Sequence, residues 1–200
     1  LSEKCMQELK LGIILSYLTI IITNISGLIS TSLIVKSLPA SEYGIYVLAG
    51  SIVAILSIID SGITASVTRY IAKYRSEKDI EKQKEFLGFI LKLLCIIFIV
   101  ILIAATLLYN NFDVIYRNSF NAEQLLSLKK IWFFTVSSLL VSILSNYFNG
   151  YCFGYERFVV IKFAIIIKLF FKIIIVLMFF INNPNLLNLV IIDLLLNFLI

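Results

Sequence analysis

Long apolar runs without a charge most constrain what this chain can fold into. The segment 93–109, "LLCIIFIVILIAATLLY", contains no charged residue, and the whole chain is 60% hydrophobic but only 14% charged. A soluble domain has about 25% charged residues, and a globule of the present composition would expose a mostly apolar surface to water. A helix needs about 20 mainly apolar residues to cross a bilayer. Because only helices and closed barrels span membranes, we predict an all-α integral membrane protein.

Six segments are long and apolar enough to be candidate spans. They cover residues 11–35, 44–67, 86–109, 131–150, 158–181 and 186–200, and the end of the chain truncates the last one. We expect a six-helix transmembrane bundle, with an amphipathic or exposed helix between the second and third spans. Because the chain begins at Leu1 and ends inside an apolar run, we expect it to be part of a longer protein.

The positions of Lys and Arg near the span ends predict the orientation in the membrane. Ten lie on the side of the N-terminus and four on the other side. Loops rich in Lys and Arg stay in the cytoplasm, so we expect a cytoplasmic N-terminus. The most basic loop also carries Glu77, Asp79, Glu81 and Glu85. This mixture favours contact with anionic lipid over nucleic-acid binding.

Motifs of soluble enzymes do not occur in the sequence. It contains no His, which excludes His-based metal sites and His-based acid–base catalysis. No phosphate-binding loop, dinucleotide-binding fingerprint or metal-ligand spacing occurs. We therefore expect no cofactor, no metal and no enzymatic activity.

Small and polar residues form a stripe at helical spacing on each of three predicted spans. The stripes comprise Ser16, Thr19, Thr23, Ser26 and Ser30; Gly50, Ala54, Ser57, Ser61 and Thr64; and Thr135, Ser138, Ser142, Ser145 and Asn149. Such residues let helices pack closely and hydrogen-bond across their interface. Equally, they are suited to line a water-filled cavity, in which Ser26, Ser142 and Asn149 would contact substrate. Both interpretations stay open at this point.

Three charged residues are predicted to lie at membrane depth, where charges are costly and usually face a bundle interior or cavity. Asp60 has two interpretations: an ion pair with Lys92, or a position facing the lumen. Lys168 and Lys172 lie one turn apart on one face. Two ammonium groups in a cavity of low dielectric would attract a phosphate. The alternative is that these lysines snorkel and pair with a later helix.

The segment 37–74, "SLPASEYGIYVLAGSIVAILSIIDSGITASVTRYIAKY", resembles the signature of bacterial polysaccharide-biosynthesis exporters. These are lipid-linked oligosaccharide flippases of the Wzx type, in the multidrug/oligosaccharidyl-lipid/polysaccharide superfamily. A second resemblance is the loop "GYERF" after the fourth span. The motif residues are Pro39, Glu42, Tyr43, Gly44, Asp60, Gly62, Arg69, Tyr70, Gly154, Glu156, Arg157 and Phe158.

The resemblance implies a fold, a substrate and partners. The fold would be one lobe of a two-lobe transporter like the multidrug and toxin extrusion proteins, around a cavity that opens alternately to each side. The substrate would be an undecaprenyl-pyrophosphate-linked oligosaccharide, moved across the bacterial cytoplasmic membrane for surface polysaccharide synthesis. The partners would be membrane lipid, the second lobe of the same chain and the polymerase of the pathway.

Three other functions remain alternatives. A cation-coupled drug exporter of the same superfamily is disfavoured because the first span has no carboxylate. A membrane-bound polymerase or glycosyltransferase is disfavoured because no outer loop is long enough to hold a catalytic site. A non-transporting membrane scaffold is the fourth possibility.

Overall fold

Seven α-helices account for most of the chain, and no β-strand occurs among the described residues. The computed structural model describes residues 3–182 and 186–198, and it describes side chains at 11–58, 62–178 and 186–198. The helices are α1 (Glu3–Ser37), α2 (Ala40–Leu56), α3 (Ser61–Glu77), α4 (Ile80–Ile115), α5 (Ala122–Gly154), α6 (Phe158–Asn182) and α7 (Leu186–Asn197). The prediction of an all-α protein is confirmed.

The outer surface of the bundle is apolar, as a lipid-facing surface must be. The segments Leu11–Ser37, Ile80–Ile115 and Ala122–Gly154 are long and apolar enough to cross a membrane, while Ala40–Leu56 and Leu186–Asn197 are shorter apolar helices. The most apolar part of α4 is only 17% buried within the protein. Because most of its apolar side chains do not face the protein core, they require lipid around them. The chain is a helical membrane bundle.

Helix α5 forms the centre of the bundle. It packs against α2, α3, α4, α6 and α7, whereas α1 packs mainly against α6 and only touches α2. Trp132 on α5 is buried, lies edge-on to Phe112 of α4 with ring centroids 5.3 Å apart, and donates a hydrogen bond to the Ala105 carbonyl. A central α5 directs its polar stripe toward neighbouring helices rather than toward lipid.

The second predicted span, 44–67, is not one continuous helix. A turn of 3₁₀-helix at Ser57–Asp60 separates α2 from α3. The Ser57 hydroxyl donates to the Ala54 carbonyl at 2.8 Å. Ser and Asp side chains compete for backbone groups, and Gly62 is a poor helix former, so these residues weaken the helix. Periodicity does not indicate this break, because the apolar residues continue through it.

Helices α3 and α4 extend beyond the predicted spans into the connecting segment. They meet at Lys78, which has a positive φ of 55°, and at Asp79. The Asp79 side chain caps α4 by accepting a hydrogen bond from the Lys82 backbone N–H at 2.9 Å. Hydrogen bonds from the side chain and backbone of Lys82 hold the pKa of the Asp79 carboxyl below its ordinary value. The connection is thus a tight turn between two helices, not a separate exposed helix.

Candidate functional site

Two polar contacts join α6 to α7 at matched positions. The Lys168 ammonium donates a hydrogen bond to Asn197 Oδ1 at 2.6 Å, and the Lys172 ammonium lies 2.6 Å from Asp193 Oδ1. The lysines are four residues apart on α6, and their partners are four residues apart in the reverse order on α7. Residues at this spacing share one helix face, so an antiparallel pair of helices brings both contacts into register.

Helix α5 completes this polar network. The Asn197 side-chain amide donates to Ser138 Oγ at 2.6 Å, and the Ser145 hydroxyl donates to the Asn197 backbone carbonyl at 3.4 Å. Asn197 therefore accepts from a lysine on α6 and donates to a serine on α5. Hydroxyl and amide groups that bond across helices are a recurrent means of holding membrane helices together. Part of the α5 stripe thus serves helix packing.

The network contains more positive than negative charge. Lys168 and Lys172 contribute two cations, whereas Asp193 contributes one carboxylate and Asn197 none. Intramembrane ions are normally paired. If this network served only to hold the helices together, one lysine would be enough to pair with Asp193. The two lysines were predicted either to attract a phosphate or to pair with a later helix. In the structure they pair with α7, but this pairing leaves an excess positive charge.

Sequence reasoning missed Asp193 and Asn197. A signal for both was present, because Asp193 is the only acidic residue of the final apolar run and Asn197 follows it by one turn. This spacing equals that of the two lysines on the preceding span. Comparing polar spacings between consecutive spans would have predicted the contacts.

A cavity of about 370 Å³ opens between α1, α2 and α6 next to this network. Ser26, one of the predicted contact residues, lines it and is only 3% exposed. Lys172 and the motif residue Tyr43 also line it. The structure therefore brings together three residues, Ser26, Lys172 and Tyr43, that sequence analysis selected on separate grounds.

A smaller cavity of about 100 Å³ adjoins the carboxylate of the Lys172–Asp193 pair. Its lining includes Asp193, Ser138 and Tyr46, and Tyr46 also lines the larger cavity. The ion pair therefore has its cation in the wall of one cavity and its carboxylate in the wall of the other.

Two other predicted site residues, Ser142 and Asn149, line neither of these cavities. The Ser142 hydroxyl donates to the Leu139 carbonyl of its own helix at 2.9 Å, and the half-buried Asn149 lies two turns further along α5. The Asp60 side chain lies outside the described residues, and Lys92, its predicted partner, is exposed. Ser142, Asn149 and Asp60 stay predictions as contacts to substrate.

The α1 stripe divides between the two interpretations of its role. The hydroxyls of Ser16, Thr19 and Thr23 donate to carbonyls one turn earlier in their own helix, at 2.6–2.8 Å. Thr23, Ser26 and Ser30 line the larger cavity. The second half of this stripe is therefore a cavity wall.

The motif residue Gly154 belongs to a close contact between α3 and α5. Thr64 and Thr68 of α3 donate hydrogen bonds to the backbone carbonyls of Asn146 and Gly150 at 3.1 and 3.2 Å. A Cβ atom at Gly154 would lie 2.6 Å from the Cβ of Ile71. Glycines four residues apart allow membrane helices to approach closely, and this spacing occurs in "GYCFG".

Two further motif residues, Tyr70 and Glu156, lie where α3, α4 and α5 meet, a region we call the α3–α5 junction. Its residues are Tyr70, Arg75, Gln83, Phe86, Tyr155 and Glu156. The Tyr70 and Phe86 rings lie 4.8 Å apart, and the Arg75 guanidinium lies 5.4 Å from the Tyr155 ring centroid and 3.9 Å from Glu156 Oε2. Buried Gln83 donates to the Tyr155 hydroxyl at 2.7 Å, which lowers the pKa of that phenol. Arg69, by contrast, is exposed.

Replacing Gln83 by Ala should destabilise the α3–α5 junction. Because the side chain is 7% exposed, its loss removes a buried hydrogen bond and leaves a gap, and we expect a cost of about 1–3 kcal/mol. The measurement is the thermal unfolding temperature of the detergent-purified full-length protein. The double variant Gln83→Met/Tyr155→Phe removes both polar partners and should lie close to wild type. A Gln83→Ala protein as stable as wild type would show that the bond contributes nothing.

The fold and the partly buried ionic network define a helical membrane protein with charged side chains beside internal cavities. The family model described as polysaccharide biosynthesis protein matches residues 9–199, so the chain belongs to the polysaccharide biosynthesis protein family. No curated protein and no solved structure matches the chain.

Proposed function

We propose that the protein is a flippase that moves an undecaprenyl-pyrophosphate-linked oligosaccharide across the bacterial cytoplasmic membrane. The observation that carries the proposal is the larger cavity, whose lining includes Lys172 and several hydroxyl groups. Diphosphate requires cationic and hydrogen-bonding groups once it leaves water, and the excess charge of the lysine network supplies the cation. Membership of the polysaccharide biosynthesis family is consistent with such a cargo.

The proposed mechanism is alternating access between two lobes. The chain would be the first lobe, with its N-terminus in the cytoplasm as the distribution of Lys and Arg predicts. A second lobe of the same protein would close the far side of the cavity. The diphosphate would bind near Lys172, and the polyprenyl chain would remain in lipid. Rocking of one lobe against the other would then expose the site on the outer side.

The charge of the network distinguishes this cargo from that of a drug exporter. A cation exporter needs an unneutralised carboxylate at its site, whereas Asp193 is paired with Lys172 at 2.6 Å and the neighbouring Lys168 adds positive charge. This arrangement favours an anionic cargo.

The test is transport by the purified full-length protein in liposomes. A lipid-linked oligosaccharide is placed in the inner leaflet, and its arrival outside is measured with a sugar-specific lectin. We expect lectin-accessible signal to rise only with the protein present. Liposomes loaded with a cationic fluorescent drug serve as the second arm, in which we expect no efflux. Drug efflux without oligosaccharide transfer would overturn the proposal in favour of the drug exporter.

A further inference from the structure

We propose that Asp193 is an internal counter-ion that pairs with Lys172 while no ligand is bound. An anionic ligand that enters the larger cavity then displaces the Asp193 carboxylate and binds the Lys172 ammonium. The inference rests on the proposed function for the identity of the ligand. It assigns a role to Asp193 that the function itself does not require.

The ion pair lies where exchange of partners is possible. Lys172 lines the larger cavity and Asp193 lines the smaller one. Their side chains are only 29% and 32% exposed, so each ion lacks most of its hydration. A lysine has a flexible stem with a compact charge, and its ammonium can therefore turn from a carboxylate in one wall toward a ligand in the adjacent cavity.

Lys168 is placed to neutralise Asp193 after the exchange. Its ammonium hydrogen-bonds to the neutral amide of Asn197 at 2.6 Å, and it also interacts electrostatically with Asp193. Asp193 thus contacts Lys172 directly, and the nearby charge of Lys168 also stabilises it. When a ligand engages Lys172, Lys168 remains to compensate the buried carboxylate, so neither state leaves an isolated intramembrane charge. This explains why the network has a second lysine.

The Ser26 hydroxyl is a second group in the same cavity that can hydrogen-bond to the ligand. Its side chain is 3% exposed and lines the cavity, and the structure shows no hydrogen bond from its hydroxyl to any described residue. Ser16 on the same helix, in contrast, donates to a carbonyl one turn earlier. Buried hydroxyls are normally hydrogen-bonded, and a phosphate oxygen near Lys172 would satisfy this one.

The experiment measures anion affinity without transport. The full-length protein in nanodiscs is titrated with inorganic pyrophosphate and, separately, with undecaprenyl pyrophosphate. We expect Asp193→Asn to bind at least one probe about tenfold more tightly than wild type, because the competing carboxylate is gone. Lys172→Gln should bind about tenfold more weakly or not at all, since it lacks the cation. Tighter binding of both probes would show that the diphosphate group alone is enough for recognition. A higher affinity for undecaprenyl pyrophosphate alone would identify the lipid head group as the ligand.

A matched control exists at the α4–α5 hairpin. Asp113 forms an ion pair with Lys129 at the same distance, 2.6 Å, but neither residue lines the larger cavity. Asp113→Asn should leave both affinities unchanged. An Asp193→Asn protein whose affinities equal those of wild type, or fall below them, overturns the inference. So does an equal gain in Asp113→Asn, which would indicate a general effect of removing an acid.

A second variant covers the case in which Asp193→Asn does not fold. The exchange Lys172→Asp/Asp193→Lys keeps the pair but moves the cation to the smaller cavity. We expect this protein to fold and to lose probe binding, and full binding by it would contradict the inference. The transport assay separates the two proposals. If transport is intact but removal of Asp193 changes no affinity, only the counter-ion role fails. If transport is absent but the affinities shift as expected, only the flippase function fails.

Discussion

Export of surface polysaccharide should be lost when Lys168 and Lys172 are both replaced by Ala, while the protein still reaches the membrane. Both ammonium groups lie in the α6–α7 network, and Lys172 lines the larger cavity. A hydrogen bond to a charged group contributes about 1.5–3 kcal/mol. If the proposed function is right, loss of the Lys172 donor lowers the affinity for a diphosphate at least about tenfold, and loss of Lys168 removes the second positive charge of the network. The measurement is complementation of a strain that lacks the gene, with the protein quantified in membrane fractions.

The double substitution has a second consequence that a control must separate. Removing both lysines leaves Asp193 without the cation that lies 2.6 Å away, and an unpaired buried carboxylate is itself destabilising. The triple variant Lys168→Ala/Lys172→Ala/Asp193→Asn removes the cations without leaving that carboxylate. We expect no export from the triple variant either. Restored export would show that the lysines serve only to neutralise Asp193.

Lys162 provides a matched substitution on the same helix. Its ammonium lies 5.7 Å from the Phe153 ring centroid and does not line the larger cavity. Lys162→Ala should retain export at the wild-type level. Equal loss of export in Lys162→Ala would mean that α6 tolerates no loss of positive charge, and it would remove the argument for a specific diphosphate contact.

The elements that depend on composition and period were predictable from the sequence. Apolar length predicts the helices because the bilayer allows few other solutions for such runs. Helical spacing places Lys168 and Lys172 on one face, and the structure has both contacting α7. Each of these features is local to one helix.

Features that depend on the relative placement of helices were not predictable in the same way. The break at Ser57–Asp60 leaves the apolar pattern uninterrupted, so hydropathy does not reveal it. The larger cavity depends on how α1, α2 and α6 are placed around it, which no single helix encodes. Within its own helix Asp193 gives no sign of its partner, because only the spacing and register of α6 against α7 assign it to Lys172.

Replacing Gly154 by Leu should separate α3 from α5 and produce one of the largest losses of stability in the chain. Even the first side-chain atom at this position would lie 2.6 Å from Ile71 Cβ and 3.3 Å from the Thr68 carbonyl oxygen. Ile71 is fully buried, so it has little freedom to move aside. Overpacking costs about 1–3 kcal/mol when the surroundings can adjust, and we expect Gly154→Leu to reach or exceed the upper value.

The same contact predicts that the loss of stability depends on which glycine is replaced and on the size of the new side chain. A Cβ atom at Gly150 would lie 3.0 Å from both the Thr64 carbonyl oxygen and Val67 Cβ, a milder overlap than at Gly154. Thermal unfolding temperatures in detergent should therefore fall in the order wild type, Gly150→Ala, Gly154→Ala, Gly154→Leu. Gly88 in α4 is the control because a Cβ atom there would meet nothing within 4 Å, and Gly88→Ala should be neutral or slightly stabilising through lower backbone entropy. If Gly154→Leu unfolded at the wild-type temperature, α3 and α5 would not be held at the short separation on which this packing depends.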